Sequence, residues 1–135
     1  MIDPLLDQVV DDWHVLLKIG QGASGNVYEA RRGEARAALK VIRLDGVSSN
    51  AAARFEREVQ LLAELEHPHI VRCLGAGQGE GFLFVVLEYM DGGSLDRQLH
   101  QRSRLSVPET VGVGQAIAAA LTVAHGAGVV HRDIK

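Results

Sequence analysis

The polar and apolar positions fall into blocks with different spacing. Trp13–Gly22 (WHVLLKIGQG), Asn26–Arg32 (NVYEARR) and Arg36–Leu44 (RAALKVIRL) are β-prone stretches, separated by glycines and the dipeptide Gly33-Glu34. This pattern predicts three antiparallel strands with tight connections. Asp45–Asn50 reads as a loop in which Ser48, Ser49 or Asn50 can cap a helix. From Ala51 to Leu65 the spacing becomes helical. Phe55, Val59, Leu62 and Leu65, with Leu61 beside them, form one apolar face, while Arg54, Glu56, Arg57, Gln60 and Glu64 lie largely opposite.

Two further strands are predicted in His67–Gly77 (HPHIVRCLGAG) and Gly81–Met90 (GFLFVVLEYM), joined around Gly77–Gly81. The second is nearly all apolar, which predicts burial on both faces. Asp91–Leu95 (DGGSL) breaks it, and a short helix is expected over Ser94–Arg102. Ser106, Pro108 and Glu109 carry the marks of a helix start: a cap, a first-turn proline and a capping-box glutamate. That helix is expected to reach Gly126, with Val113, Ile117, Ala120, Leu121 and Ala124 inward, weakened by Gly112 and Gly114. The resulting class is α+β, with a five-stranded antiparallel sheet and one helix followed by further helices.

Composition narrows the function classes. The chain has 135 residues, 47% of them hydrophobic and 23% charged, enough for one domain with a core. The net charge of −3 lacks the basic excess of a nucleic-acid binder. The single cysteine, Cys73, excludes an internal disulfide framework and fits a small hydrophobe in a strand. The first residues carry four aspartates and neither Lys nor Arg, unlike a signal peptide. No apolar stretch is expected to approach the roughly 18 residues of a membrane helix. The chain therefore reads as soluble and cytoplasmic. His14, His67, His69, His100 and His125 show no metal-ligand spacing, so packing or surface roles are expected and no metal residue is assigned.

Two features carry chemistry. GQGASGNV places Gly20, Gly22, Gly25 and Val27 in the pattern G-x-G-x-x-G-x-V. Glycines let backbone N–H groups close on phosphate oxygens, although a plain glycine-rich hairpin has the same composition. A strand follows the glycines, so the arrangement is strand–loop–strand, which disfavours the strand–loop–helix of dinucleotide binding. Lys40 lies inside the apolar run AALKVI. Burying an unpaired ammonium is costly, so an anion is expected beside it. Glu58, near the apolar face of the following helix, is the candidate partner.

IGQGASGNVYEA, AALK, FEREVQLLAELEHPHIV, VVLEYMDGGSL and VVHRDIK resemble, in order and spacing, successive signatures of the eukaryotic-type protein kinase family. HRDIK is similar to the serine/threonine branch. The resemblance covers nearly all of the chain after Asp12. It implies an acidic lead-in over 1–12 and a partial kinase domain over 13–135, divided into an N-lobe (13–87), a hinge (88–93) and the first helices of an incomplete C-lobe (94–135).

It further implies ATP and Mg2+ as cofactors and a protein Ser or Thr hydroxyl as acceptor. The loop Gly20, Gln21, Gly22, Ala23, Ser24, Gly25 would fold over the phosphates. Val27 and Ala38 would cover the adenine, and Leu87 would limit the depth of the cavity. Glu88 and Met90 would present backbone groups to the base. Lys40, oriented by Glu58, would hold the α- and β-phosphates. Ser94 would meet the ribose or cap a helix, or do both. Asp133 would act as catalytic base and Lys135 would neutralise the transferring phosphate, with His131 and Arg132 in support. The asparagine and D-F-G aspartate that hold Mg2+ in this family would follow Lys135, so these residues alone are expected to be inactive. The alternative expectation is a non-catalytic module that binds nucleotide or a partner.

Overall fold

The computed structural model describes residues 3–22, 25–46, 50–131 and 134. Backbone contacts divide the chain into two compact units: Met1–Glu64 with Arg72–Tyr89, and Leu65–Val71 with Met90–Lys135.

The first unit is a six-stranded antiparallel sheet with one helix. In chain order its elements are β1 (Val9–Val10), β2 (Trp13–Gly22), β3 (Gly25–Arg32), β4 (Ala35–Arg43), α1 (Ala51–Glu64), β5 (Cys73–Gly79) and β6 (Phe82–Glu88). The spatial order is β1-β2-β3-β4-β6-β5, so β6 pairs with β4 and β5 becomes an edge. The expected five-stranded sheet gains β1 from the acidic stretch. Asp11 and Asp12 join β1 to β2 with positive φ at both positions, as a type I′ hairpin requires, and aspartate tolerates that conformation better than most residues. Asp7 also has positive φ, and its amide donates to the Val15 carbonyl at 2.9 Å. The amino-terminal aspartates therefore make turns.

Directly opposed residues on neighbouring strands share a face. On one face, here called outer, Lys18–Tyr28–Leu39–Val86 and Asn26–Val41–Phe84 form cross-strand rows. Val10, Trp13, Val15, Tyr28, Ala30, Ala37, Leu39, Val41, Phe84 and Val86 form one buried cluster there, with Leu5, Leu6 and Phe82 packed against it. Residues 3–10 are thus a strap across the outer face. Asp3 fastens it: its carboxylate accepts from the Tyr28 hydroxyl at 2.8 Å and the Leu5 amide at 3.2 Å, and lies 3.7 Å from the Lys18 ammonium.

On the other, inner face the rows are Leu17–Glu29–Ala38–Leu87 and Gly20–Val27–Lys40–Val85. Helix α1 lies against β5 and β6. Phe55, Val59 and Leu83 share the lining of a cavity of about 230 Å3. The expected apolar face of α1 is half-buried at Phe55, Val59, Leu61 and Leu62. Leu83 to Val86 are all buried, as expected for a strand covered on both faces.

β5 begins at Cys73, later than the expected His67. Pro68 has no N–H to give to a ladder, and the Ile70 amide closes a turn on the His67 carbonyl at 3.1 Å. In β5, glycines make room for aromatic rings: a Cβ on Gly77 would stand 2.7 Å from Phe84 Cζ, and one on Gly79 would meet the Phe82 ring.

The second unit holds α2 (Leu95–Arg102) and α3 (Val107–Gly126). Ser106 and Glu109 form the expected capping box, and Glu109 also takes a two-point ion pair from Arg102, at 2.6 and 2.8 Å. No residue of α3 is fully buried. Val113, Ala116, Ala120, Leu121 and Ala124 are half-buried, and the expected inward Ile117 is 39% exposed. α3 has 20 residues and contains an 18-residue window of mean hydropathy 1.3, so it is long and apolar enough by composition to cross a membrane, which corrects the expectation that no stretch approaches that length. Thr122 keeps the helix apolar by donating its hydroxyl to the Ala118 carbonyl at 2.9 Å.

Candidate functional site

The inner face of the sheet carries the chemistry-bearing residues of the first unit. Lys40 sits mid-strand in β4 between Val27 of β3 and Val85 of β6, and it is half-buried. No hydrogen bond or ion pair engages it among the described residues. One row along, Ala38 stands opposite Leu87, and both are half-buried. Val27, Ala38 and Leu87 thus surround Lys40 with apolar surface on the same side of the sheet. An ammonium so placed, with no counter-charge engaged among the described residues, is suited to an anionic group.

The expected Lys40–Glu58 pair is not formed. Glu58 is exposed on α1, and no ion pair engages it among the described residues. α1 makes its main contacts with β5 and β6 rather than with β4. The two residues are in one unit and on elements of the expected type, without the contact.

The glycine loop joins β2 and β3. Gly20 pairs with Val27, Gln21 with Asn26 and Gly22 with Gly25, so the hairpin is laddered up to the loop. Gly25 has φ +127°, and a Cβ there would collide with the Val41 carbonyl, so the position requires glycine. Gly22 has open space around its Cα, leaving its backbone accessible. Ala23 and Ser24 lie outside the described residues, as do the expected base Asp133, Lys135 and Arg132.

The strand end holds a second group of contacts. The Glu88 amide donates to the Arg72 carbonyl at 2.9 Å, and the Arg72 amide donates to the Glu88 carboxylate at 3.2 Å. Arg36 Nε donates to Glu29 Oε1 at 2.9 Å, and the Arg36 guanidinium lies over the Tyr89 ring at 3.8 Å. Arg36, with Arg31 beside it, holds the Glu29 carboxyl below its usual range. Met90 and Ser94 belong to the second unit. Met90 is exposed, and Ser94 caps α2, its hydroxyl accepting from the Arg97 amide at 3.1 Å. The capping role expected of Ser94 is therefore realised.

The pattern of apolar residues around Lys40 did not single out two exposed neighbours. Leu17, 56% exposed, stands opposite Glu29 on the inner face. Ile19, 44% exposed, is the extra residue of a bulge between Lys18 and Gly20. Their signal in the sequence was weak, because both also fit an ordinary strand.

Comparison with known proteins places these observations. The protein kinase domain model matches residues 13–135. A probable serine/threonine-protein kinase, PknB, of Lactococcus lactis is 34% identical over 129 residues, which is 93% of this chain and 21% of that protein. The serine/threonine-protein kinase pkn3 of Myxococcus xanthus is 38% identical over 121 residues, 87% of this chain and 22% of that protein. The crystal structure of the Mycobacterium tuberculosis PknI kinase domain superposes with a TM-score of 0.82 at 30% identity, over 96% of this chain and 54% of that one. The chain thus spans about a fifth of the length of these two relatives and about half of that crystallised domain.

Proposed function

Because the chain belongs to the eukaryotic-type serine/threonine protein kinase family, we propose that its inner sheet face binds ATP and serves phosphoryl transfer to protein Ser or Thr hydroxyls. One observation carries this reading. Lys40 is half-buried on the same face as Val27, Ala38 and Leu87, with no anion beside it among the described residues.

Each residue has a part in the reading. Val27, Ala38 and Leu87 give apolar cover to a base. Backbone groups of Glu88 and Met90 offer the base its hydrogen bonds. The loop Gly20–Gly25 presents amides to phosphate oxygens, and Lys40 neutralises the α- and β-phosphates. Asp133 accepts the proton of the attacking hydroxyl while Lys135 offsets charge on the moving phosphate. Phosphoryl transfer depends on such positioning and charge compensation more than on covalent chemistry by the protein. Mg2+, which the family implies, has no candidate cluster of His, Cys, Asp or Glu among the described residues, and no step is assigned to it.

The Lys40–Glu58 separation favours a second reading for these 135 residues by themselves: a module that binds nucleotide without transferring phosphate. Retention of Asp133 favours the first. Transfer of labelled phosphate to a generic basic protein, abolished by Asp133→Ala, selects the first; nucleotide binding without transfer selects the second.

Binding itself is tested by calorimetric titration of the chain with ATP. A charged hydrogen bond contributes about 1.5–3 kcal/mol, so Lys40→Met is expected to weaken ATP about 10- to 100-fold. Equal affinity in wild type and Lys40→Met would overturn the assignment.

A further inference from the structure

The inner face has a feature beyond the glycine loop and Lys40. Glu29, Arg36 and Tyr89 are contributed by three different strands or their ends and meet on one side of the sheet. Arg36 stands two residues before Ala38 in β4, so both side chains emerge on the inner face. Tyr89 stands two residues after Leu87, immediately beyond the end of β6. Since Ala38 pairs with Leu87, Arg36 and Tyr89 lie one step further along the same two strands.

The contact between them is specific. The guanidinium carbon of Arg36 is 3.8 Å from the centroid of the Tyr89 ring. Its Nε donates at 2.9 Å to Glu29, whose side chain is only 12% exposed. Arg31 is the direct cross-strand partner of Arg36, a like-charge pairing that would repel. Glu29 lies between them in charge, 3.8 Å from Arg31 Nε, and turns the repulsion into a three-residue ion network. The guanidinium is therefore fixed in orientation before it meets the ring.

What the ring fixes is the chain after β6. The ladder ends at Glu88, so Tyr89 has no strand partner to hold it. On the β5 side Glu88 is held by its two hydrogen bonds with Arg72. On the β4 side the Arg36–Tyr89 stack is the corresponding restraint.

We propose that Arg36, oriented by Glu29 and stacked on Tyr89, is a positioning residue that sets the backbone after Leu87 for recognition of the adenine base. This rests on the nucleotide reading above and deepens it. Arg36 touches no phosphate in this role; it acts through Tyr89 on the backbone that meets the base. Its loss therefore weakens ligands that carry adenine and spares ligands that are phosphate alone.

The test compares ATP with inorganic tripolyphosphate, both titrated calorimetrically into the 135-residue chain. Arg36→Ala and Tyr89→Ala are each expected to weaken ATP about fivefold, the scale of one cation–π contact, and to leave tripolyphosphate unchanged. Tyr89→Phe keeps the ring and is expected to bind ATP as wild type does. Arg36→Lys keeps the charge but loses the planar stack, and is expected to weaken ATP about twofold; it carries the test should an alanine variant fail to fold. The double variant Arg36→Ala with Tyr89→Ala is expected to lose no more than either single one, since both break the same contact. Unchanged ATP affinity in Arg36→Lys and Arg36→Ala, or equal losses for ATP and tripolyphosphate, would overturn the positioning role. Failure of the wild-type chain to bind ATP would overturn the nucleotide reading and this one together, a result distinct from the other two.

Discussion

The two faces of the sheet in the first unit are built from the same strands and solve opposite problems. The outer face is closed. Tyr28, Leu39, Val15 and Val86 are among its fully buried side chains, and the strap of residues 3–10 covers it with Leu5, Leu6 and Val10. The inner face is open except along β6, where Leu83 and Val85 are buried. Val27, Ala38, Lys40 and Leu87 are only half-buried, and Leu17 is exposed. Alternation along each strand assigns successive residues to the two faces, so Leu39 stabilises the fold while its neighbours Ala38 and Lys40 remain available to a ligand. Under the proposed nucleotide reading, stability and function are thus separated by one residue step along β4.

The sharpest way to break this separation is to cut each face in turn. Leu39→Ala, on the closed face, is expected to cost about 2–5 kcal/mol in urea unfolding, because the removed side chain leaves a cavity in a fully packed site. Lys40→Met, its neighbour on the open face, is expected to change stability by less than about 0.5 kcal/mol in the same experiment, while lowering the added stability that saturating ATP confers by about 1.4–2.7 kcal/mol, the equivalent of a 10- to 100-fold loss of affinity. Comparable losses in both would dissolve the distinction. Gly77→Ala probes the closed face from β5: the new Cβ would press on the Phe84 ring, and overpacking of this kind costs about 1–3 kcal/mol.

Smaller effects concern the strap. Asp3→Ala removes the acceptor of the Tyr28 hydroxyl and is expected to cost about 1 kcal/mol, with faster hydrogen exchange at the Val10 and Val15 amides as the local readout. Burial alone would raise the Asp3 carboxyl, yet the hydrogen bonds from Tyr28 and Leu5 and the charge of Lys18 bring it below its usual 3.8. Its contribution is therefore present above that value and is lost as pH falls through the lowered one. Glu109 behaves in the same sense in the second unit. Arg102 and the Ser106 cap lower it to about 2 from 4.5, so its contribution disappears on acidification between those values. Glu109→Gln is expected to flatten the acid limb of the thermal unfolding midpoint in that range.

Much of this architecture was legible in the sequence, for identifiable reasons. The strands β2, β3, β4 and β6 announced themselves as β-prone stretches separated by glycine-containing turns, and α3 through Ser106, Pro108 and Glu109. The half-burial of Lys40 followed from its apolar neighbours. β1 was illegible because two valines carry no periodicity, and because Asp11-Asp12 reads as acidic lead-in until both residues are found with positive φ. The start of β5 was misplaced since Ile70 and Val71 look strand-like, whereas the turn on His67 is a matter of backbone hydrogen bonding. The Lys40–Glu58 contact failed because helical phase places a glutamate on a face, while the reach to β4 depends on where the helix lies on the sheet. The Arg36–Tyr89 stack joins residues far apart in the sequence, and only the β4–β6 register brings them together.

The central claim, that one face of the sheet binds nucleotide and the other does not, is tested most directly by methyl NMR of the chain titrated with ATP. The methyl signals of Val27, Ala38 and Leu87 are predicted to move with ATP concentration, while those of Val15, Leu39 and Val86 hold their positions. Movement confined to Val15, Leu39 and Val86, or no movement at saturating ATP, would contradict it.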